Sequence, residues 1–339
     1  MKLCPNCVSD QELKGFITSS DDIDDCKLCS SKKQPCIDVT ELLDFFQELV
    51  DNFRIVKKGE SLKNRIQVNW SFFSSSNIAT KVIDFVLPNL STKISSSKQS
   101  VEYIDDIIDN YSYWETLKEE LKWHKRFISN IKYLDEDLGW GGFFNTQFEL
   151  NPNEELFRAR IHQQSRLAAF EIEEMMCPKK EIVSGGRANP LGIPFLYLSD
   201  NPETVLYEVR ASYLDELSIA IFRLKEKHHS IKIVDFTENT ALFQPSDVNQ
   251  IIKAKLLRDR ISKDLSKPMR RFDSEIEYIP TQFICEFIKV FTGAEGIRFR
   301  SSVHPKGKNI VIFDQEKMEC KSVKLMQVNK QVLKSVEMK

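Results

Sequence analysis

Glycine and proline divide this chain unevenly, and the division limits the folds open to it. Only two of the 11 glycines precede residue 139, while nine of the 12 prolines lie beyond it. Glycine costs a helix interior about 1 kcal/mol and proline about 3. Uninterrupted helices therefore belong to the first part and a turn-punctuated architecture to the second. Apolar stripes at helical spacing agree: Leu42, Phe45, Phe46, Leu49 and Phe53 on a first helix, a second helix over 77–87, and a long stretch over 101–135 with Ile104, Ile107, Ile108, Trp114 and Leu117. Farther on, short apolar runs at 194–199, 218–224, 231–236 and 309–313 read as strands. A length of 339 residues suits about two domains. The expected class is α+β, with a helical domain over 38–138, a mixed-sheet domain over 150–315, and a C-terminal strand and tail over 316–339.

Five of the eight cysteines crowd into the first 36 residues. Cys4-Pro5-Asn6-Cys7 and Cys26-Lys27-Leu28-Cys29 are two C-x2-C pairs separated by 18 residues. This is a zinc-knuckle pattern, because each pair offers two thiolates at tetrahedral reach, and so short a segment with few apolar residues needs a staple to fold. Residues 1–37 are accordingly expected to form a module that holds structural zinc through Cys4, Cys7, Cys26 and Cys29. Disulfides are disfavoured by the unpaired cysteines elsewhere in a chain without a signal-peptide pattern. Asp21, Asp22, Asp24 and Asp25 lie between the pairs, and the whole chain has a formal net charge of −2. Phosphate backbones demand the opposite charge, so nucleic acid is not an expected partner and the module reads as a docking or stabilising element.

Residues with chemical potential gather in the second half. Asp200-Asn201-Pro202-Glu203 is a helix start with proline in the first turn. A helix over 202–216 places Glu208 on the same stripe as Val205, Leu206, Val209 and Tyr213. A half-buried carboxylate there needs a cationic partner such as Arg210, a shifted pKa, or a cleft to face. Tyr197, in the apolar run 193–199, points into the fold, either as a core tyrosine or as a flat surface for a ring. Gly185-Gly186-Arg187-Ala188-Asn189-Pro190 is a tight loop whose backbone can approach a ligand closely. Arg187 can grip phosphate oxygens two at a time, or pair with a surface acid. Gly296–Arg300 alternates like a strand, Ser301 and Ser302 follow it, and a turn at 306–308 leads into the next strand.

The order of L-F-R-A-R around Arg158, then G-G-R-A-N-P, P-F-L-Y-L, T-V-L-Y-E-V-R and G-I-R-F-R-S-S resembles the RES domain, a family named for its Arg, Glu and Ser. The resemblance covers residues 150–315 and implies a mixed-sheet, ADP-ribosyltransferase-like fold and a bacterial toxin that consumes NAD. It implies Arg158, Glu208 and Ser301 as catalytic residues, and Arg187, Asn189, Tyr197 and Ser302 as contacts to NAD. Arg158 is matched to the family arginine ahead of Arg160, and Ser301 to the family serine ahead of its neighbour Ser302. Nicotinamide leaves NAD as a neutral molecule, so no general acid is needed, and the barrier lies in the oxocarbenium character of the sugar. In the implied division of labour Glu208 stabilises that charge and binds the ribose hydroxyls. Arg158 and Arg187 hold the pyrophosphate, Tyr197 packs on a ring, and Ser301 bonds the nicotinamide side. Water as acceptor gives an NAD glycohydrolase, the expected activity. A macromolecular acceptor gives an ADP-ribosyltransferase, and a catalytically inactive nucleotide-binding adaptor is the third alternative. An unrestrained NAD glycohydrolase poisons its host, so an antitoxin or activating partner is expected, in a toxin–antitoxin or anti-phage setting. The Phe-rich first helix is a candidate surface for homo-oligomers.

Residues 38–138 resemble the helical HEPN domain that precedes RES in some proteins. Its ribonuclease members carry Arg, four to six residues, then His; this region lacks that motif, and the formal match from Arg298 to His304 falls in the hairpin of the other domain. The five histidines lack ligand-spaced partners and are expected to be mostly solvated. No apolar stretch reaches the 18 or so residues that span a bilayer, so the chain reads as soluble and cytoplasmic with no membrane partner. The Lys-rich C-terminal tail reads as a solvated end.

Overall fold

The computed structural model describes residues 1–145, 147–165, 168–244, 247–268 and 275–330, so the far end of the Lys-rich tail lies outside the described residues. Two compact units emerge, Met1–Trp114 with Asn239–Leu257, and Glu115–Glu238 with Arg258–Lys339.

In the first unit the cysteine segment is framed by β1 (Lys2–Leu3), α1 (Gln11–Thr18), β2 (Ile23–Asp24), β3 (Gln34–Pro35) and β4 (Ile37–Asp38), with β1 pairing β4 and β2 pairing β3. Asp10 caps α1 by accepting the Leu13 N–H at 3.1 Å, and its second carboxylate oxygen accepts the Leu242 N–H at 2.6 Å. The helical part follows as α2 (Leu43–Asp51), β5 (Phe53–Ser61), α3 (Leu62–Trp70), α4 (Ser76–Val86) and β6 (Ser100–Tyr103). Leu3, Leu13, Phe46 and Val82 share one core with Leu242, Val248 and Ile252, so the cysteine segment has no core separate from the helices. Two expectations are corrected here. The first helix stops at Asp51, and Phe53 opens a strand paired with β6, its ring stacked on Tyr103 at 4.8 Å. The stretch from 101 begins as strand because Val101 and Tyr103 are buried on either side of Glu102. Helix α5 (Asp105–Trp123) then starts with two acids in its first turn, where the helix dipole favours them, and ends well short of 135.

The second unit carries α6 (Trp140–Phe143), β7 (Gln147–Leu150), β8 (Leu156–Ile161), α7 (Ile172–Met175), β9 (Leu196–Ser199), α8 (Pro202–Glu208), β10 (Glu216–Leu224), β11 (Ile231–Asp235), α9 (Val248–Leu265, which opens within Asn239–Leu257), α10 (Ile279–Phe291), β12 (Gly296–Arg300), β13 (Lys308–Ile312) and β14 (Met318–Gln327). Eight of these strands form one sheet in the order β14-β10-β8-β9-β13-β12-β11-β7. The class is α+β, and the four apolar runs read as strands all lie in this sheet. Only β11 and β12 pair in parallel among the described strands. A parallel pair needs a long crossover, and this one carries α9 and α10. Asp235 and Arg298 face each other across that pair as a buried ion pair, and the Arg298 guanidinium lies 3.7 Å over the Phe148 ring. Leu156, Leu196, Leu198, Phe222, Ile233 and Ile310 fill the core against one face of the sheet.

Candidate active site

The functional side chains converge where β8, β9 and β13 lie side by side. Arg158 stands on β8 opposite Ala220, Tyr197 on β9 opposite Val311, and Asn309 on β13 opposite Ser199. Together with Arg187, Glu208, Phe299 and Val205 they line a cleft of about 290 Å³. Arg158, Arg187, Tyr197 and Glu208, picked out from sequence, are therefore brought together, and Ser301 reaches the cleft through Glu208.

Glu208 is the last residue of α8, not a mid-helix residue. The expected helix over 202–216 is cut short because Arg210 takes a left-handed backbone with φ of 55°, and the N–H of Ala211 turns back to the Leu206 carbonyl. Tyr213 is consequently exposed and does not join an apolar stripe. This placement leaves Glu208 exposed at the cleft rim rather than half buried. Two neutral donors hold it: Ser301 Oγ donates to Oε1 at 2.7 Å and Asn309 Nδ2 donates to the same oxygen at 2.6 Å. No described contact occupies Oε2, which is the oxygen available to a ligand.

Ser301 is 7% exposed and fixed from several sides. Its hydroxyl accepts the N–H groups of Val303 and His304 at 3.3 and 3.1 Å, and its own N–H donates to the Gly307 carbonyl. Next door, Ser302 is exposed. Arg158 presents the complementary charge. Burial pushes its guanidinium below the usual arginine range, with Cys177 beside it acting in the opposite sense. Its Nη1 is buried without a hydrogen-bond partner, and no carboxylate pairs with it among the described residues. Arg160, two residues on, leaves the cleft for the Glu174 carbonyl and the Phe170 ring.

The Gly185–Gly186 loop is built differently from its sequence reading. Asn189 is 2% exposed and its amide donates to the carbonyls of Ser184, Pro190 and Ile193, while its Oδ1 accepts the Tyr197 hydroxyl at 2.8 Å. Its side chain thus holds the loop, with both amide hydrogens committed to backbone carbonyls. Tyr197 also accepts the Ala188 N–H at 2.9 Å, and burial raises its phenol well above the usual range. The hydroxyl is satisfied as in a core tyrosine, and the half-buried ring still lines the cleft. A Cβ on Gly186 would stand 2.6 Å from both the Asn189 Oδ1 and the Tyr197 hydroxyl. That glycine permits close approach of the loop to Tyr197. Arg187 anchors one end on the Leu265 carbonyl at 2.6 Å.

Two histidines depart from the expected solvated state. His162 is 7% exposed, with its ring stacked 4.2 Å from Phe170 and Nε2 at 2.9 Å from Ser218 Oγ. His304 sits beside the site, its Nδ1 at 2.8 Å from Thr204 Oγ1 and its ring stacked on Tyr207. Asn309, Phe299 and His304 escaped sequence reasoning; Asn309 had one available signal, its place as the first residue of the strand that follows the serine turn.

In the first unit the sulfurs of Cys4, Cys7, Cys26 and Cys29 all lie within 4.8 Å of one another. The separations are 3.8 Å for Cys4–Cys7, 3.3 Å for Cys4–Cys29 and 3.5 Å for Cys7–Cys26. Burial raises the Cys4 thiol to about 12, and that of Cys7 farther still. Cys36 is buried outside the cluster, 3.9 Å from the Asp24 carbonyl. No helix among the described residues is long and apolar enough to cross a membrane.

The family model described as the RES domain matches residues 156–330. No curated protein matches the chain. Among solved structures, a chain of the M. tuberculosis MbcT–MbcA toxin–antitoxin complex aligns at 14% identity over 56% of this chain and 92% of that one, with a TM-score of 0.33.

Proposed function

The chain belongs to the RES domain family, and from that premise we propose that it cleaves the nicotinamide–ribose bond of NAD with water as acceptor. One observation carries the reading: a carboxylate, held on one oxygen by two neutral donors, shares a cleft with a guanidinium that has a buried, unpartnered nitrogen. The first suits a developing sugar cation and the second suits phosphate oxygens. In the reaction the bond from ribose C1′ to the pyridinium nitrogen breaks and its electron pair neutralises the ring. Water then bonds to C1′ and releases one proton, giving ADP-ribose and nicotinamide. Glu208 Oε2 faces the sugar while Ser301 and Asn309 fix Oε1; Arg158 and Arg187 take the pyrophosphate; the Tyr197 ring packs against a ring of the substrate. Asn189 acts here by holding Tyr197 and the loop rather than by touching NAD, and Ser302 has no part in it.

Purified protein incubated with NAD is the test. Release of free ADP-ribose and nicotinamide supports hydrolysis, label found only on a macromolecule moves the protein to the ADP-ribosyltransferases, and an inert Glu208→Gln variant beside an active parent assigns the carboxylate. Intact NAD with the parent protein rejects the reading. The corresponding biological role is that of a toxin that depletes NAD, restrained by an antitoxin or released by an activating partner.

The four-cysteine cluster supports a zinc site. Sulfurs at the corners of a tetrahedron with metal–sulfur bonds of about 2.3 Å stand about 3.8 Å apart, close to the separations found here. Four thiols gathered this closely, three of them buried, are a donor set that a divalent metal deprotonates and holds. Cys4, Cys7, Cys26 and Cys29 would ligate it, and its part is structural, stapling β1 to the turns around the two pairs.

A further inference from the structure

Arg187 has a cavity on each side. Besides the Glu208 cleft, it lines a second cavity of about 250 Å³ together with Lys118, Lys122, Asp264, Glu277 and Tyr278. The Glu208 cleft, at about 290 Å³, only reaches the lower bound of about 300 Å³ for sites that bury a drug-sized ligand. A dinucleotide is two nucleotides long, so this cleft accommodates its nicotinamide half and leaves the other half to be housed. Resting on the NAD-cleaving reading of that cleft, we propose that the second cavity receives the adenylate half of the same substrate, with Arg187 gripping the pyrophosphate between the two.

The chemistry of the walls suits a nucleotide. Lys118, with its side chain 17% exposed, lies 2.8 Å from Glu115 and 2.9 Å from Asp264, and Lys122, 11% exposed, lies 2.9 Å from Glu277. The Lys122 ammonium holds the Glu277 carboxyl below its usual range, so the wall offers ionised acceptors at neutral pH. Carboxylates facing a ribose accept its hydroxyls and repel a 2′-phosphate, as they do in dinucleotide folds of other architecture. Tyr278 adds a flat ring on which a base can lie. The two cavities are also tied mechanically: the Thr281 hydroxyl bonds the Arg187 carbonyl at 2.6 Å and the Tyr278 carbonyl at 3.0 Å. Lys118 and Lys122 come from α5, outside the matched residues 156–330. The α5 side of this wall therefore comes from residues ahead of the stretch that the family model matches.

Two variants of the full chain test the idea without touching the Glu208 cleft. Tyr278→Ala removes the ring, and Glu119→Trp fills the cavity from an exposed position on its rim. Nicotinamide release is measured with NAD and with nicotinamide mononucleotide, which lacks the adenylate, and binding of adenosine monophosphate is measured by calorimetry. The expected result is a KM for NAD about tenfold higher in both variants, unchanged kcat/KM for the mononucleotide, adenosine monophosphate binding about tenfold weaker, and NADP a poorer substrate than NAD for the parent. Variants that match the parent in NAD KM and in adenosine monophosphate binding overturn the proposal, as does an equal loss toward NAD and the mononucleotide. A parent that releases nicotinamide from neither compound overturns the cleavage reading instead, and adenosine monophosphate binding then decides the cavity alone.

Discussion

Glu208 owes its orientation to two donors, and removing either one should slow the reaction by an amount set by its burial. Asn309→Ala deletes the 2.6 Å bond to Oε1 and leaves Ser301 in place. A hydrogen bond to a charged group contributes about 1.5–3 kcal/mol, and the exposure of Glu208 puts this one at the lower end. Since about 1.4 kcal/mol is tenfold in rate, nicotinamide release at saturating NAD should fall about tenfold. Ser301→Ala should cost more, because the buried hydroxyl also receives the Val303 and His304 N–H groups, which would be left without their acceptor. A loss near a hundredfold follows if the loop shifts with them. The melting temperature separates positioning from unfolding: a unit of this size moves by about 2–4 °C per kcal/mol, so Asn309→Ala should melt within a few degrees of the parent. If Asn309→Ala keeps its kcat within twofold, the claim that a fixed Oε1 matters is wrong, whatever Glu208→Gln does.

Three further outcomes are expected. Gly186→Ala should lose most activity and about 1–3 kcal/mol of stability, seen in a denaturant titration, because the new methyl meets two groups already locked to each other; a parent-like variant would mean the loop has slack. Asp235→Ala should destabilise by about 3–5 kcal/mol by stranding Arg298. Burial raises the Asp235 carboxyl, but Arg298 and the Thr237 N–H outweigh it and hold the group below its usual value. The pair's contribution is therefore complete at neutral pH and fades in acid as the carboxyl protonates through its lowered folded pKa; an acid melting curve identical for parent and Asp235→Asn would contradict this. Elemental analysis should find about one zinc per chain, with zinc content falling in Cys7→Ser and the melting temperature falling with a strong chelator; undiminished zinc in that variant would assign the metal elsewhere.

Much of the catalytic half was legible because its signals are local. Pro202 after Asn201 marks where α8 begins, and the apolar runs that became β9, β10, β11 and β13 are bounded by turn residues. Sequence did not reveal where α8 ends, since the left-handed turn falls on Arg210, a residue with no preference for it. Partners across the sheet were equally hidden. Nothing near Asn309 points to a residue 101 positions away, and the three carbonyls bonded by Asn189 are fixed by a loop path that composition does not encode. Asn189 looked like a ligand contact because it stands in a glycine loop, and Tyr197 because it offers a flat ring; in the structure the Asn189 amide bonds three loop carbonyls and its Oδ1 accepts the Tyr197 hydroxyl. Phe53 lay on a helical stripe and residue 101 opened a stretch read as helix, yet pairing of β5 with β6 overrode that periodicity.

The crossover between β11 and β12 has a practical corollary. Leu242, Val248 and Ile252 belong to the same buried cluster as Leu13 and Phe46, although they are spelled out in the middle of the RES domain sequence. An excised fragment starting near residue 150 would carry those side chains into water with nothing to cover them, and would be prone to clump. One stretch of the first unit's interior is thus spelled within the sequence that encodes the other unit.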